Sequence, residues 1–396
     1  MSKARILFVD DEQRILDGLR RSLRGKRGEW DMSFVTSGDL ALEVLAGNPH
    51  DVVVSDMRMP GMDGADLLTH VSKLHPEVAR VVLSGHTEPE SAIKVAVAGH
   101  RFLNKPTDTD SVTSVIEQLT ATTTSHGHAP EVRRIAGAVR SLPTLPDHVD
   151  RLAEILCAPD VDLHRAIRAA SSDIGLTAKL LQLSNSEFFG ARARVASVES
   201  VVNNLGLQTI QALVGAGQVL WSSVEWGSDV ERDLGVSWRH GVATAYLVGS
   251  MASPAHRPYA QAAALLQDVG RFAALASTRC TSGAAVDSAV LRSGLVPYRD
   301  VGVDLLHLWG LPRPIITAVA ERDAHHQPSP AGLGVTGAVR VAHLLLQSTE
   351  SGEPTAGADE EELALLLAHP QLAARAADWR HLAEEATARS GRWTQQ

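Results

Sequence analysis

Over the first 120 residues, short apolar runs alternate with segments whose apolar positions recur every three or four residues. Arg5-Ile6-Leu7-Phe8-Val9 is one continuous apolar run, and it stops at Asp10-Asp11. Met32-Ser33-Phe34-Val35-Thr36 is shorter and alternates. Val52-Val53-Val54-Ser55-Asp56 and Arg80-Val81-Val82-Leu83-Ser84 are rich in β-branched residues, and Arg101-Phe102-Leu103-Asn104 is a fifth run. Between the first two, Ile15, Leu16, Leu19 and Leu23 keep helical spacing. Buried strands alternating with helices predict an α/β domain with a doubly wound, parallel, five-stranded sheet. Such sheets hold ligands beyond the carboxyl ends of their strands. Asp10, Asp11, Asp56, Ser84 and Lys105 all fall there.

The pattern changes after residue 120. Residues 121–130 carry no apolar periodicity and read as a linker. From 131 to 350 one helical pattern follows another. Leu152, Ile155 and Leu156 share a face, as do Leu180, Leu181 and Leu183, and Val198, Val201, Val202 and Leu205. Gly206 stands where a left-handed cap is expected, and Pro146, Pro258 and Pro312 stand where helices start. The second domain is therefore expected to be all-α. Residues 351–396 read as a mobile loop, SGEPTAGADEEE at 351–362, followed by closing Ala/Leu-rich helices.

Composition narrows the partners. The chain has 396 residues, 44% hydrophobic and 21% charged, which suits two globular domains. Its formal charge of −9 argues against a general polyanion binder, so nucleic acid is an unexpected partner. The segment GLQTIQALVGAG could pass for half a helix-turn-helix but has no Lys or Arg, and Arg192 and Arg194 are too few for a basic patch. Cys157 and Cys280 do not make a disulfide framework. Acidic residues come too early at the N-terminus for a signal peptide, and no apolar run approaches the ~18 residues of a membrane span. A soluble, cytoplasmic protein with no membrane partner is expected.

The strand-end residues suggest phosphoryl transfer to a carboxylate. That chemistry needs a nucleophilic Asp, acids to hold a divalent cation, a fixed positive charge and a hydroxyl donor. Alone, Asp10-Asp11 would read as a polar strand end capping a helix. Together, FVDDE at 8–12, DVVVSDMRMPGMDG at 51–64, VVLSGH at 81–86 and FLNKP at 102–106 resemble the receiver domain of two-component response regulators. The resemblance implies that Asp56 is the phosphoacceptor for a sensor histidine kinase. It implies that Asp10, Asp11, Asp56 and the backbone carbonyl of Arg58 hold Mg²⁺. Lys105 and Ser84 would engage the phosphoryl group, and Phe102 would be the aromatic switch residue or a plain core residue. His86, like the Arg58 side chain, would stand near the phosphoryl site.

The helical half carries most of the histidines. LPTLPDHVDRL at 142–152, LLQLSNSEFFG at 180–190, SVESVVNNLG at 197–206 and WRHGVATA at 238–245 resemble the HDOD domain, a helical output domain related to the HD phosphohydrolases. LLQDVGRF at 265–272, VGVDLLHLWGLP at 301–312 and AHHQP at 324–328 continue the pattern in order. The HD enzymes carry His-Asp where this chain has Gln267-Asp268. Tyr298 replaces another histidine, and Gln327-Pro328 follow His325-His326. A neutral glutamine oxygen is a weak ligand for the metals of such sites. His240, Gln267 and Asp268 are therefore expected to be a degenerate, structural remnant, with His240 and Asp268 as a buried hydrogen-bonded pair. No catalytic residue and no cofactor is expected in this domain.

Phe188 and Phe189 are read as core or as a partner contact, with the same ambiguity at Trp221 and Trp226. The favoured reading is a phosphorylation-gated, non-enzymatic response regulator whose output is a change in protein contacts, between the domains or across a homodimer. A divergent metal-dependent phosphohydrolase acting on a nucleotide and a DNA-binding transcriptional regulator are the alternatives.

Overall fold

The computed structural model describes residues 3–85, 99–125, 129–144, 146–189, 194–215, 228–282, 297–325, 332–350 and 358–393. Five parallel strands form one sheet: β1 (Ala4–Val9), β2 (Trp30–Val35), β3 (Val52–Asp56), β4 (Ala79–Ser84) and β5 (Arg101–Asn104), in the order β2-β1-β3-β4-β5. The apolar runs alternate across the two faces as a period of two requires. Leu7, Val9, Val53, Val82 and Phe102 belong to one buried cluster with Leu67, Leu68 and Val71 of helix Gly64–Leu74. Ile6, Phe8, Val54, Val81, Leu83 and Leu103 belong to another, with Leu16 of helix Gln13–Ser22 and Val112, Ile116 and Leu119 of helix Thr109–Ser125. Both faces are covered, which is why the strands read as continuous apolar runs.

The described residues after 129 are mainly helical. Helix Pro146–Cys157 and helix Arg313–Ala320 start beside the prolines that marked them, and Pro258 sits in the first turn of helix Arg257–Leu265. Helix Ile174–Ser184 is buried along its whole length, which its Leu180-Leu181-Leu183 run foreshadows. Gly206 has φ 77° and ψ 155°. The positive φ suits glycine, but ψ differs from the left-handed helical cap expected there.

Two segment boundaries differ from the sequence reading. Helix Thr109–Ser125 continues through residues 121–125 of the expected linker, and helix Pro130–Ala138 begins at its end. Just before that segment, Thr120 Oγ1 donates to the Ile116 carbonyl one turn back. Helix Ala358–Ala368 begins inside the expected loop at 351–362. Its first turn holds Asp359, Glu360 and Glu361, acids that favour a helix N-terminus.

The output helices cover the open edge of the sheet at β5. The turn Glu187–Phe189 packs on β5. Gln182 Nε2 donates to the His100 carbonyl at 3.1 Å and faces that of Gly99 at 3.4 Å. Arg101 Nε donates to Leu308 O at 3.0 Å and Arg101 Nη2 to His307 O at 2.8 Å. On the far side, Gly137 lies so close to the Pro76 carbonyl that any Cβ would collide with it. An edge strand is thereby covered from within the chain. The apolar cluster containing Phe102 continues without a break into the helical half.

Candidate functional site

β1 ends at Val9 and delivers Asp10, 1% exposed, with Asp11 beside it at the surface. The Glu12 amide donates to Asp10 Oδ1 at 3.0 Å, leaving Oδ2 for a cation. β3 pairs with β1 through Val9↔Ser55, which brings Asp56 alongside Asp10. β5 follows β4 in register, and the Lys105 amide donates to the Ser84 carbonyl at 2.8 Å. The result is a lysine held between two carboxylates. Lys105 Nζ lies 2.7 Å from Asp10 Oδ2 and 2.8 Å from Asp56 Oδ1. Ser84 is buried at the end of β4, and the Lys105-Pro106 bond beside it is cis.

The loop after β3 is fitted tightly. Gly64 N donates to Met57 O at 3.0 Å, and a Cβ on Gly64 would collide with the Asp56 carbonyl. Asp63 Oδ1 accepts from Asp66 N at 2.8 Å and starts the next helix. That helix anchors the loop carrying Asp56 and Arg58. The Arg58 side chain is exposed, and His86 lies outside the described residues.

The charges are unevenly matched. Burial raises the Asp56 carboxyl above its ordinary range, and the hydrogen bond from Lys105 offsets only part of that. Burial also opposes charge on Lys105, but hydrogen bonds and attraction from Asp10 and Asp56 outweigh it and its pKa is raised. Carboxylate oxygens of Asp10, Asp11 and Asp56 lie within 4.8 Å of one another. Opposite oxygens around Mg²⁺ are about 4.2 Å apart, so three hard oxygen donors at this spacing fit Mg²⁺ after small side-chain adjustment. Among the described residues, this is the one group of three or more metal-type side chains that converges.

The helical half arranges its polar residues otherwise. His240 and Asp268 do not pair. His240 Nε2 meets His343 Nδ1 at 2.8 Å, with the rings nearly perpendicular, and Asp268 Oδ1 is 2.8 Å from Arg322 Nη1. A guanidinium answers the carboxylate fully, which an imidazole does only when protonated. Burial, followed by His240 and Arg322, pushes His343 down to about 3, so it is neutral. Gln267 Nε2 donates to Thr244 Oγ1 at 3.0 Å, while its buried Oε1 finds no partner among the described residues. His325 pairs with Glu362 at 3.1 Å, and the same carboxylate oxygen meets Arg340 Nη2 at 2.6 Å. Tyr298 opens helix Tyr298–Leu308, with Arg271 over its ring.

Other candidates resolve locally. Phe188 is buried in the turn against β5, while the Phe189 side chain, Arg192, Trp221, Trp226 and residues 326–328 lie outside the described set. Arg194 Nη1 donates to Gly310 O at 2.9 Å. Sequence reasoning passed over Arg101, Gln182, His343 and Arg322. Each acts through a partner 50 or more positions away, and only the scarcity of buried polar side chains marks them.

Comparison with known proteins agrees with this division. The profile of the response regulator receiver domain matches residues 6–117, and that of the HDOD domain matches residues 142–328. The hydrogenase transcriptional regulatory protein HoxA of Cupriavidus necator is 37% identical over 118 residues, 29% of this chain and 24% of HoxA. The DNA-binding transcriptional regulator NtrC of Escherichia coli is 33% identical over 119 residues, 30% of this chain and 25% of NtrC. The chain thus spans about a quarter of the length of these relatives. The signal receiver domain of an HD domain-containing protein from Pseudomonas fluorescens Pf-5 aligns at 27% identity with a TM-score of 0.30, over 32% of this chain and 93% of that one.

Proposed function

From a chain in which a response regulator receiver domain precedes an HDOD domain, we propose a two-component response regulator in which phosphorylation of Asp56 gates the contacts of a non-catalytic output domain. The observation that carries this reading is Lys105 Nζ bridging Asp10 and Asp56 at the strand ends. A carboxylate oxygen of Asp56 attacks the phosphorus of a kinase phosphohistidine. The new O–P bond forms as the N–P bond breaks, and the imidazole leaves with that electron pair and takes up a proton. Mg²⁺, held by Asp10, Asp11, Asp56 and the Arg58 carbonyl, would supply charge neutralisation at the phosphoryl oxygens. Asp10 positions Lys105, which then pairs with the added phosphoryl charge, and the Ser84 hydroxyl donates to it.

The route outward is short. Lys105 and Ser84 are joined by a backbone hydrogen bond, and Lys105 follows β5 directly. The same strand carries Phe102 and Arg101, and Arg101 grips the end of helix Tyr298–Leu308. A shift of β5 on phosphorylation would be felt at that helix. Non-catalytic output is supported by the ligand chemistry: Arg322 sits on Asp268, His240 faces His343, and Gln267 brings a neutral oxygen. Action in the cytoplasm, where a kinase and ATP are at hand, is consistent with the absence, among the described residues, of a helix long and apolar enough to cross a membrane.

The test is amide hydrogen exchange on the full chain, with and without phosphoramidate and Mg²⁺. Faster or slower exchange in helix Tyr298–Leu308 on phosphorylation, absent in Asp56→Asn, supports gating. Identical exchange in a fully phosphorylated sample overturns it.

A further inference from the structure

Beside β5 lies a cavity of about 790 Å³ shared by both domains. Arg101 and Gln118 line it from the receiver side, and Arg194, Arg313, Leu311 and Ile316 are among the residues lining it from the output side. This is within the ~300–1,000 Å³ range of small-molecule sites. Its charge is one-sided. Three arginines face Glu321 alone, in a chain whose overall charge is −9.

None of the three arginines pairs with a carboxylate among the described residues. Arg101 is 8% exposed and donates to the His307 and Leu308 carbonyls, while Arg194 donates to the Gly310 carbonyl. Those carbonyls end or follow helix Tyr298–Leu308, and a helix end offers about half a negative charge. Two full positive charges therefore remain undercompensated. Burial, then the nearby Arg194, pushes Arg101 down to about 9, the mark of that imbalance. Helix Arg313–Ala320 adds little through its backbone. Pro314 has no N–H, and Ile315 and Ile316 donate to the Pro312 carbonyl. Side chains must do the holding. Leu311, Ile316 and Tyr259 add apolar and aromatic lining to the same cavity.

We propose that this interdomain cavity binds a nucleoside phosphate, with its phosphates held by Arg194 and Arg313 in front of Arg101 and its base laid against Leu311, Ile316 and Tyr259. Guanidinium forks match phosphate oxygens, and an apolar surface with one aromatic ring matches a base. The ligand touches both domains, so its binding is thermodynamically linked to any change in the seam between them.

Calorimetric titration of the full chain with ATP, GTP and inorganic pyrophosphate tests this. At least one nucleotide is expected to bind at one site per chain, with pyrophosphate about tenfold weaker or more. Arg313→Glu replaces an exposed residue, so the fold should persist by circular dichroism while nucleotide affinity falls about tenfold or more. Arg194→Gln should weaken binding in the same direction. Failure of both nucleotides to bind overturns the proposal. So does wild-type affinity in both variants, and pyrophosphate binding as tight as the nucleotides removes the base from the site.

Discussion

Arg101 donates from Nη2 to the carbonyl of His307 at 2.8 Å, joining the last strand of the receiver to the end of an output helix 206 positions away. The same guanidinium donates from Nε to Leu308 O, and it is packed so closely on Gly310 that a side chain there would collide with it. Gly310 has φ 75°, a conformation that also favours glycine. Arg101 thus acts as a C-terminal cap supplied by one domain to a helix of the other. Phe102, the expected switch residue, is its immediate neighbour.

Replacing Arg101 by Met keeps the stem and removes both donors. Two carbonyls at the helix end lose their partners, and relief from burying a charge offsets part of the loss. A net destabilisation of about 1–2 kcal/mol is expected in urea unfolding. An unchanged midpoint would mean that the seam does not depend on this residue.

Gly64→Ala tests how the loop sets Asp56. The new methyl group collides with the Asp56 carbonyl, and that backbone must move to admit it. Stability should fall by about 1–3 kcal/mol, and phosphorylation by a small phosphodonor should slow. Wild-type labelling kinetics would show that Asp56 tolerates the displacement.

Lys179 gives a pH signature. It is 1% exposed, its Nζ donates to Arg140 O at 3.0 Å, and it lies 5.2 Å from the centre of the Trp309 ring. Burial, then Arg140 and Arg80, lowers it to about 7 from an ordinary 10.5. Between those values the unfolded chain holds the proton and the folded chain does not. Stability therefore rises with pH across that window and falls as pH drops toward about 7. Arg101 titrates in the same range, so the informative quantity is the difference between wild type and Lys179→Met. The variant should lose part of the slope. Parallel curves would place the Lys179 pKa near its ordinary value.

The sheet and the acidic site were readable because each depends on local pattern. Asp10, Asp56, Ser84 and Lys105 stand at strand ends, and the strand pattern alone puts them together. Phe188 was readable as core, but not that its turn would lie against β5. The seam was hidden for a different reason. Arg101 opens an apolar run and reads as a flanking residue, yet the output domain buries it. The pairing of Asp268 with Arg322 and of His240 with His343 depends on how distant helices cross, which periodicity within each helix does not encode. The helical start at Ala358 was masked by the Gly, Pro and Thr residues preceding it, although its acidic first turn carried the signal.

Lys105→Ala separates labelling from response. Asp56 keeps its nucleophilic oxygens, so incorporation should persist with Mg²⁺ present. The change in hydrogen exchange at helix Tyr298–Leu308 should disappear, because the bridge from the phosphoryl site to β5 is gone. A mutant that labels and responds like wild type would remove Lys105 from the switch.

The most direct measurement is intact-mass analysis of the chain after incubation with phosphoramidate and Mg²⁺. Wild type is expected to gain the mass of one phosphoryl group, and Asp56→Asn to gain none. Equal incorporation in the two proteins would contradict the assignment of Asp56 and, with it, the gating account built on that residue.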